Sequence, residues 1–282
     1  MTVTTTLAPS LTAGKINLWV EDSLTKEYLS RCWQPEDVFF RFSVGGSSTT
    51  VQGAVHDLRE NGVKTAFGFI DRDLGKTNRE QWLNPECDPC VLRTDRLEIE
   101  NYLLDWEAMA GCQANQSFYN RTKEQIEDQA KNWAAEMVWW MACRRVLHDG
   151  AREMNRDYPD DPPIAKAFDL QSALDFITNL PWCGEIVARA QSLAASDNIR
   201  GRLEAAYADY DAALRDGSWT SAFSGKEVFQ RLSGWICHYS SGTKTEKHEN
   251  FAKSIADWQR ENQRVPDAIN AARMAFKSRV GI

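Results

Sequence analysis

Val63-Lys64-Thr65-Ala66-Phe67-Gly68-Phe69-Ile70-Asp71-Arg72-Asp73 decides the reading of this chain: a largely apolar run that halts on two acids. Its length and aromatic character suit a buried strand. Upstream, Ser47 to Asn61 carries Val51, Val55 and Leu58 at helical spacing, and Gly62 stops that helix. Before it, Gly45-Gly46 ends an alternating aromatic stretch, Val38 to Val44, which reads as a second strand. Ser23 to Trp33 reads as a helix with Leu24, Tyr28 and Leu29 on one face, and Ile16 to Val20 as another buried strand. Downstream, Cys90 to Arg93 is a short fourth strand. Strands alternating with helices predict an α/β fold, a mainly parallel sheet with helices on its faces and right-handed connections.

Beyond residue 98 the pattern becomes helical. Glu98 to Ala110 opens it. A long helix, Thr122 to Asp149, starts with a capping box from Thr122 to Gln125. Further helices are expected at Leu170 to Asn179, Gly184 to Ala195, Ile199 to Leu214, Lys226 to His238, Thr245 to Arg260 and Pro266 to Arg279. Asp157 to Pro163 reads as a linker. The expected organisation is a flexible lead-in over residues 1–14, an α/β module over 15–105, and an all-helical module over 106–282. A chain of 282 residues has room for both.

The placement of the acids carries the chemistry. Glu21 directly follows the strand Ile16–Val20, and Asp71 and Asp73 follow the strand ending at Ile70. Ligands of open α/β sheets gather at the carboxyl ends of strands, where strand order reverses. If the two strands are neighbours, these carboxylates converge, repel one another, and titrate at raised pH unless a cation joins them. Oxygen donors without imidazole or thiolate select a hard ion, Mg²⁺ or Mn²⁺, over zinc. An Asp-x-Asp pair also occurs in solvated loops; its position at the end of an apolar run is what sets this one apart.

Leu18-Trp19-Val20-Glu21, the Gly45-Gly46 break, Phe69-Ile70-Asp71-Arg72-Asp73 and Glu98-Ile99-Glu100-Asn101-Tyr102-Leu103-Leu104 together resemble the TOPRIM domain. The likeness is to the small stand-alone TOPRIM effectors of bacterial anti-phage defence, the PARIS-type nuclease effector and relatives of the overcoming-lysogenization-defect nucleases. It covers residues 15 to 105 and reaches Ser224-Gly225-Lys226-Glu227 weakly. The resemblance implies a metal-dependent nuclease cutting DNA or RNA, including tRNA. Glu21, Asp71 and Asp73 would be metal ligands, and Glu21 would also orient or deprotonate the attacking water. Glu100 would serve a second metal site with Glu98 close by, and Lys226 would approach the scissile phosphate. It further implies a toxin held inactive by a partner, with an ABC-type ATPase acting in trans as sensor. Two positions depart from the family pattern, which has Gly after the first Glu and an acid four residues beyond it. Here these are Asp22 and Thr25, so the number of metals stays open.

Other readings stand beside this one. Glu98 and Glu100 also suit a helix N-terminus, where acids are favoured, and Lys226 suits a solvated surface. A small-molecule phosphatase or phosphotransferase could use Asp-x-Asp. A non-catalytic binding module could dock a partner through Trp133, Val138-Trp139-Trp140-Met141 and Val146, which make one helix apolar on more than one side; that segment is either core or a partner or homodimer interface.

Composition narrows the field. A net charge of −7 argues against a general nucleic-acid coating protein but not against a nuclease with an acidic metal site. Lys244, Lys247, Lys253, Arg260 and Arg264 are the candidate local basic cluster. Gly45-Gly46-Ser47-Ser48-Thr49 lacks the Gly-Lys-Ser/Thr ending of a Walker A, and reads as a tight turn whose N–H groups could still cradle a phosphate. The seven cysteines suggest thiols rather than a disulfide framework. Cys87-Asp88-Pro89-Cys90 lacks a second ligand pair, since Cys112, Cys143 and His148 are poorly spaced, so zinc there stays open. His56, His148, His238 and His248 pair with no nucleophile motif. No apolar run approaches the roughly 20 residues of a membrane span, and Met1 to Gly14 does not read as a secretion signal. A cytoplasmic protein without a membrane partner is expected.

Overall fold

The computed structural model describes residues 15–72, 74, 90–153, 162–180, 195–237 and 243–282. Strands β1 (Ile16–Val20), β2 (Phe40–Val44), β3 (Ala66–Ile70) and β4 (Val91–Arg93) form one sheet in the order β2-β1-β3-β4. Every pair is parallel. Val20 stands opposite Val44 on one side and Phe69 on the other. The chain leaves β1 in one direction to make β2, then crosses back to make β3. Strand order therefore reverses between β1 and β3, the place where open α/β sheets bind ligands.

Among the described residues the helices are α1 (Ser23–Cys32), α2 (Ser48–Glu60), α3 (Glu100–Leu103), α4 (Trp106–Gly111), α5 (Gln113–Phe118), α6 (Lys123–Glu136), α7 (Val138–Glu153), α8 (Leu170–Thr178), α9 (Ala195–Asp216), α10 (Trp219–Ala222), α11 (Gly225–Ile236), α12 (Lys244–Glu261) and α13 (Asp267–Arg279). They belong to two compact units. The first comprises the described residues of Met1–Arg72, Thr77–Ile126 and Gly225–Ile282, and the second those of Asp73–Lys76 and Glu127–Ser224. The chain's compact units thus do not break at 105/106. The last three helices belong to the sheet's unit: α11 packs against α3 and α12 against α1, and α13 sets Phe276 against Phe67 of β3.

In the first unit, β3 buries all five of its residues. Gly68 admits α2: a Cβ there would lie 2.9 Å from Val51 Cγ1. Val51, Val55 and Ile70 make the core on that face. From β3, Phe67 meets Phe276 of α13 with ring centroids 5.5 Å apart, and Phe276 lies 6.4 Å from Trp33. α12 packs along α1, where the Tyr28 hydroxyl donates to Gln259 Oε1 at 2.9 Å. Each such buried aromatic or aliphatic side chain contributes roughly 1.5–3 kcal/mol.

Three boundaries differ from expectation for local reasons. β2 begins only at Phe40, because Glu36–Phe39 winds as a 3-10 turn that leaves Val38 and Phe39 exposed. The expected helix Glu98 to Ala110 is broken at Leu104, and the Asp105 side chain caps α4 by accepting from the Ala108 N–H. The expected Thr122 to Asp149 helix divides at Met137, which is fully buried and whose N–H donates three residues back, to Ala134 O at 3.0 Å, tightening that turn. Residues 184–194 of the expected helix Gly184 to Ala195, residues 157–161 of the linker, and the lead-in 1–14 lie outside the described residues.

In the second unit, α7 packs against α9. Trp139 stacks on Tyr207 at 4.1 Å. Trp140 is buried and donates through Nε1 to Pro162 O at 2.6 Å. Met141 and Val146 are buried as well. No described helix is long and apolar enough to cross a membrane.

Candidate functional site

Because β1 and β3 are neighbours in register, the residues that follow them emerge side by side. The Asp71 N–H donates to Glu21 Oε1 at 2.8 Å. Asp71 Oδ1 accepts in turn from the Ile99 N–H at 2.9 Å, one residue before Glu100 opens α3. Thr94, just past β4, completes the lacing. Its N–H donates to Ile70 O at 2.9 Å, and its hydroxyl accepts from the Arg72 N–H at 2.9 Å and donates to Arg96 O at 2.7 Å.

The fourth contribution comes from far along the chain. α11 approaches α3 so closely that a Cβ on Gly225 would lie 2.5 Å from Asn101 N. The missing side chain lets the Lys226 N–H donate to Glu98 Oε2 at 2.7 Å. Buried Asn101 holds that acid in place by accepting from the Glu98 N–H at 2.8 Å. The start of α11, where helical N–H groups lack internal partners, thus faces a carboxylate.

Charge is crowded here. Glu100 is buried, and its carboxyl is pushed up to about 8 by burial and then by the charges of Glu98 and Asp22, against the pull of the Lys226 ammonium. Asp71 is raised well above the carboxylate range by burial, then by Glu100, Glu21, Glu98 and Asp22. Five carboxyl groups that act on one another through space share a small volume. Near neutral pH such a group holds a proton or needs a cation.

The donor set fits a hard cation by type: it is all oxygen, in excess negative charge, with no imidazole or thiolate among the residues named. As they lie, no three His, Cys, Asp or Glu side chains among the described residues are grouped to hold an ion. Glu21 Oε1 and Asp71 Oδ1 are turned to backbone N–H groups. Asp73, expected as a third ligand, lies outside the described residues.

Of the residues read from sequence, Glu21, Asp71, Glu100 and Lys226 come together. Asp22, at the departure from the family pattern, caps α1 by accepting from the Thr25 N–H at 2.7 Å while its charge still reaches Asp71 and Glu100. Thr94 and Asn101 were not anticipated. Asn101 had a signal, an amide directly before the apolar run Tyr102–Leu104, whereas the role of Thr94 depends on strand pairing. The Gly45-Gly46 turn does not cradle a ligand with its own N–H groups, because these donate to Val20 O and Glu21 O at 2.8 Å; Gly46 takes a φ of 89° to make that turn. Three members of the expected basic cluster are paired with acids: on α12 Lys253 with Glu27 and Arg260 with Asp257, and just beyond it Arg264 with Glu107. Cys87 lies outside the described residues; Cys90 is partly buried, and no disulfide joins cysteines among those described.

No family model matches this chain, and no curated protein or solved structure matches it either.

Proposed function

We propose that this chain is a metal-dependent nuclease that hydrolyses phosphodiester bonds of DNA or RNA. The observation that carries this reading is the crowding of Glu21, Asp71 and Glu100 at the carboxyl edge of β1 and β3, with Glu100 and Asp71 titrating far above ordinary carboxylates. Glu21, Asp71, Asp73 and Glu100 would hold Mg²⁺ or Mn²⁺, which would supply Lewis-acid charge to the phosphate. Glu21 orients the attacking water and takes its proton. Glu98 fixes the start of α11 and so sets Lys226 beside Glu100. The exposed Lys226 ammonium offsets charge that develops on the phosphate. The resemblance to TOPRIM defence effectors adds a biological setting, a toxin restrained until a partner ATPase releases it; this rests on fold-level analogy.

The test incubates the purified chain with single-stranded DNA, duplex DNA and total RNA, each with Mg²⁺, Mn²⁺ or EDTA. The expected result is cleavage of at least one polymer with metal and none with EDTA. Intact polymers in every metal condition, or cleavage that persists in EDTA, would count against the reading.

A further inference from the structure

α12 buries Phe251, Ala252, Ile255, Ala256 and Gln259. The first four are apolar. The fifth is an amide with no exposed surface. Burying an amide costs free energy unless its polar atoms are bonded, and here each end is. Gln259 Oε1 accepts from the Tyr28 hydroxyl of α1 at 2.9 Å. Nε2 donates to Tyr102 O of α3 at 3.2 Å and to Asp105 Oδ2, the cap of α4, at 3.3 Å. One planar group therefore joins three elements, and its two ends cannot be exchanged, because an acceptor must face Tyr28 and donors must face Tyr102 O and Asp105. Glutamate would set a second acceptor against two acceptors, and an apolar side chain of the same length would remove all three bonds.

These bonds close a circuit around the carboxylates. Glu21 leads through Asp22 into α1, and α1 reaches Gln259 through Tyr28. Gln259 reaches α3 through Tyr102, and α3 begins at Glu100. Just ahead of it the Ile99 N–H donates to Asp71 Oδ1, and the Asp71 N–H returns to Glu21 Oε1. Every link but Gln259 comes from residues 21–102; Gln259 enters from far along the chain. Asp22 caps α1 and Glu100 opens α3, and their like charges act on each other. When both are ionised, that repulsion pushes the two helices apart. Apolar packing is non-directional and resists such a shift weakly. A buried amide bonded at both ends fixes spacing and rotation together.

We propose that Gln259 is a positioning residue of the carboxylate site: it fixes the separation of α1 from α3, and with it the separation of Glu21 and Asp22 from Glu98 and Glu100. Its effect on cleavage rests on the nuclease reading; the positioning itself does not.

The experiment compares the full chain with Gln259→Met, which keeps the side-chain length and removes all three bonds. Ile255→Val, one turn earlier among the buried residues of α12, is the control that loosens the helix without touching the circuit. The first readout is residue-resolved amide hydrogen exchange in EDTA. In Gln259→Met the Asp71 and Ile99 amides should exchange about tenfold faster or more than in the control, while amides within β3 exchange as they do in the control. The second is Mn²⁺ titration, where Gln259→Met should bind about tenfold or more weakly and Ile255→Val like the parent. If the parent cuts a polymer, Gln259→Met should cut it more slowly by a similar factor. Tyr28→Phe removes one bond of the three and should show the same pattern at smaller size; it carries the test if Gln259→Met does not fold. Equal exchange at Asp71 and Ile99 in Gln259→Met and Ile255→Val would overturn the proposal by assigning Gln259 to folding alone. Faster exchange at those amides with a parent that cuts no polymer would support the positioning and count against the nuclease reading.

Discussion

The Asp71 N–H donates to Glu21 Oε1 at 2.8 Å, across a separation of 50 residues. One carboxylate therefore ties the end of β3 to the end of β1 as well as facing the site. Glutamine at position 21 keeps the accepting oxygen and loses the charge. Glu21→Gln should melt with the parent while cleavage falls by orders of magnitude. Glu21→Ala removes the acceptor and should cost about 1.5 kcal/mol or more of stability. Paired melting curves and cleavage rates check this; parental cleavage by Glu21→Gln would remove Glu21 from the chemistry.

Glu100 gives the fold a pH dependence in the absence of divalent ions. Its folded carboxyl titrates at about 8 rather than at 4.5, chiefly through burial and then through Glu98 and Asp22. A carboxyl that holds its proton more tightly when folded contributes fully below the unfolded value and loses that contribution as pH rises through the folded one. Melting temperature in EDTA should therefore fall between about pH 5 and pH 8 through this group. His248, lowered by burial and then by Lys244, acts in the opposite direction, so the difference between parent and Glu100→Gln is the readout. The variant should show a smaller fall, the remainder coming from Asp71, whose carboxyl burial also raises. Parallel curves for the two proteins would show that Glu100 is not strained.

The two neighbouring tryptophans of α7 should differ in cost. Trp140 is 3% exposed and loses a hydrogen bond to Pro162 O when replaced. Trp140→Ser should cost about 3–5 kcal/mol. Trp139 is only half-buried and stacks on Tyr207, so Trp139→Ser should cost about 1–2 kcal/mol. Denaturant titrations would measure both; equal costs would mean that the packing of α7 is misassigned.

Gly225→Ala tests how Lys226 is positioned. The new Cβ would fall 2.5 Å from Asn101 N, and backbone cannot yield as a flexible side chain can. The substitution should cost about 1–3 kcal/mol and slow cleavage by displacing the start of α11. Gly234→Ala, where a Cβ meets nothing within 4 Å, is the control and should be neutral or slightly stabilising. If both alanines behave alike, the close approach to Asn101 has no role.

Much of this was legible in local sequence. The four strands and the placement of Glu21 and Asp71 follow from apolar runs that end on acids, because strand patterning and strand-end position are local properties. The broken helices were not, since Met137 and Leu104 interrupt sequences whose spacing remains helical on both sides. Nor was the return of α11, α12 and α13 to the sheet unit, which depends on pairings such as Tyr28 with Gln259 across 231 residues. Lys226 could be singled out by resemblance, but its place beside Glu100 depends on the contact of Gly225 with Asn101. Thr94 acts through parallel pairing of β3 and β4, which no spacing within either strand encodes.

The central claim is that these carboxylates work through a metal, and Asp71→Asn tests it most directly. Asparagine keeps an oxygen for the Ile99 N–H and removes one charge from the crowd. In EDTA the variant should fold and melt at or slightly above the parent. Mn²⁺ should raise the parent's melting temperature by mass action and the variant's less. Single-turnover cleavage in Mn²⁺ of a polymer the parent cuts, in a preparation free of any inhibiting partner, is the decisive measurement. The account predicts a rate lower by orders of magnitude in the folded variant. A parental rate together with parental Mn²⁺ binding would contradict it.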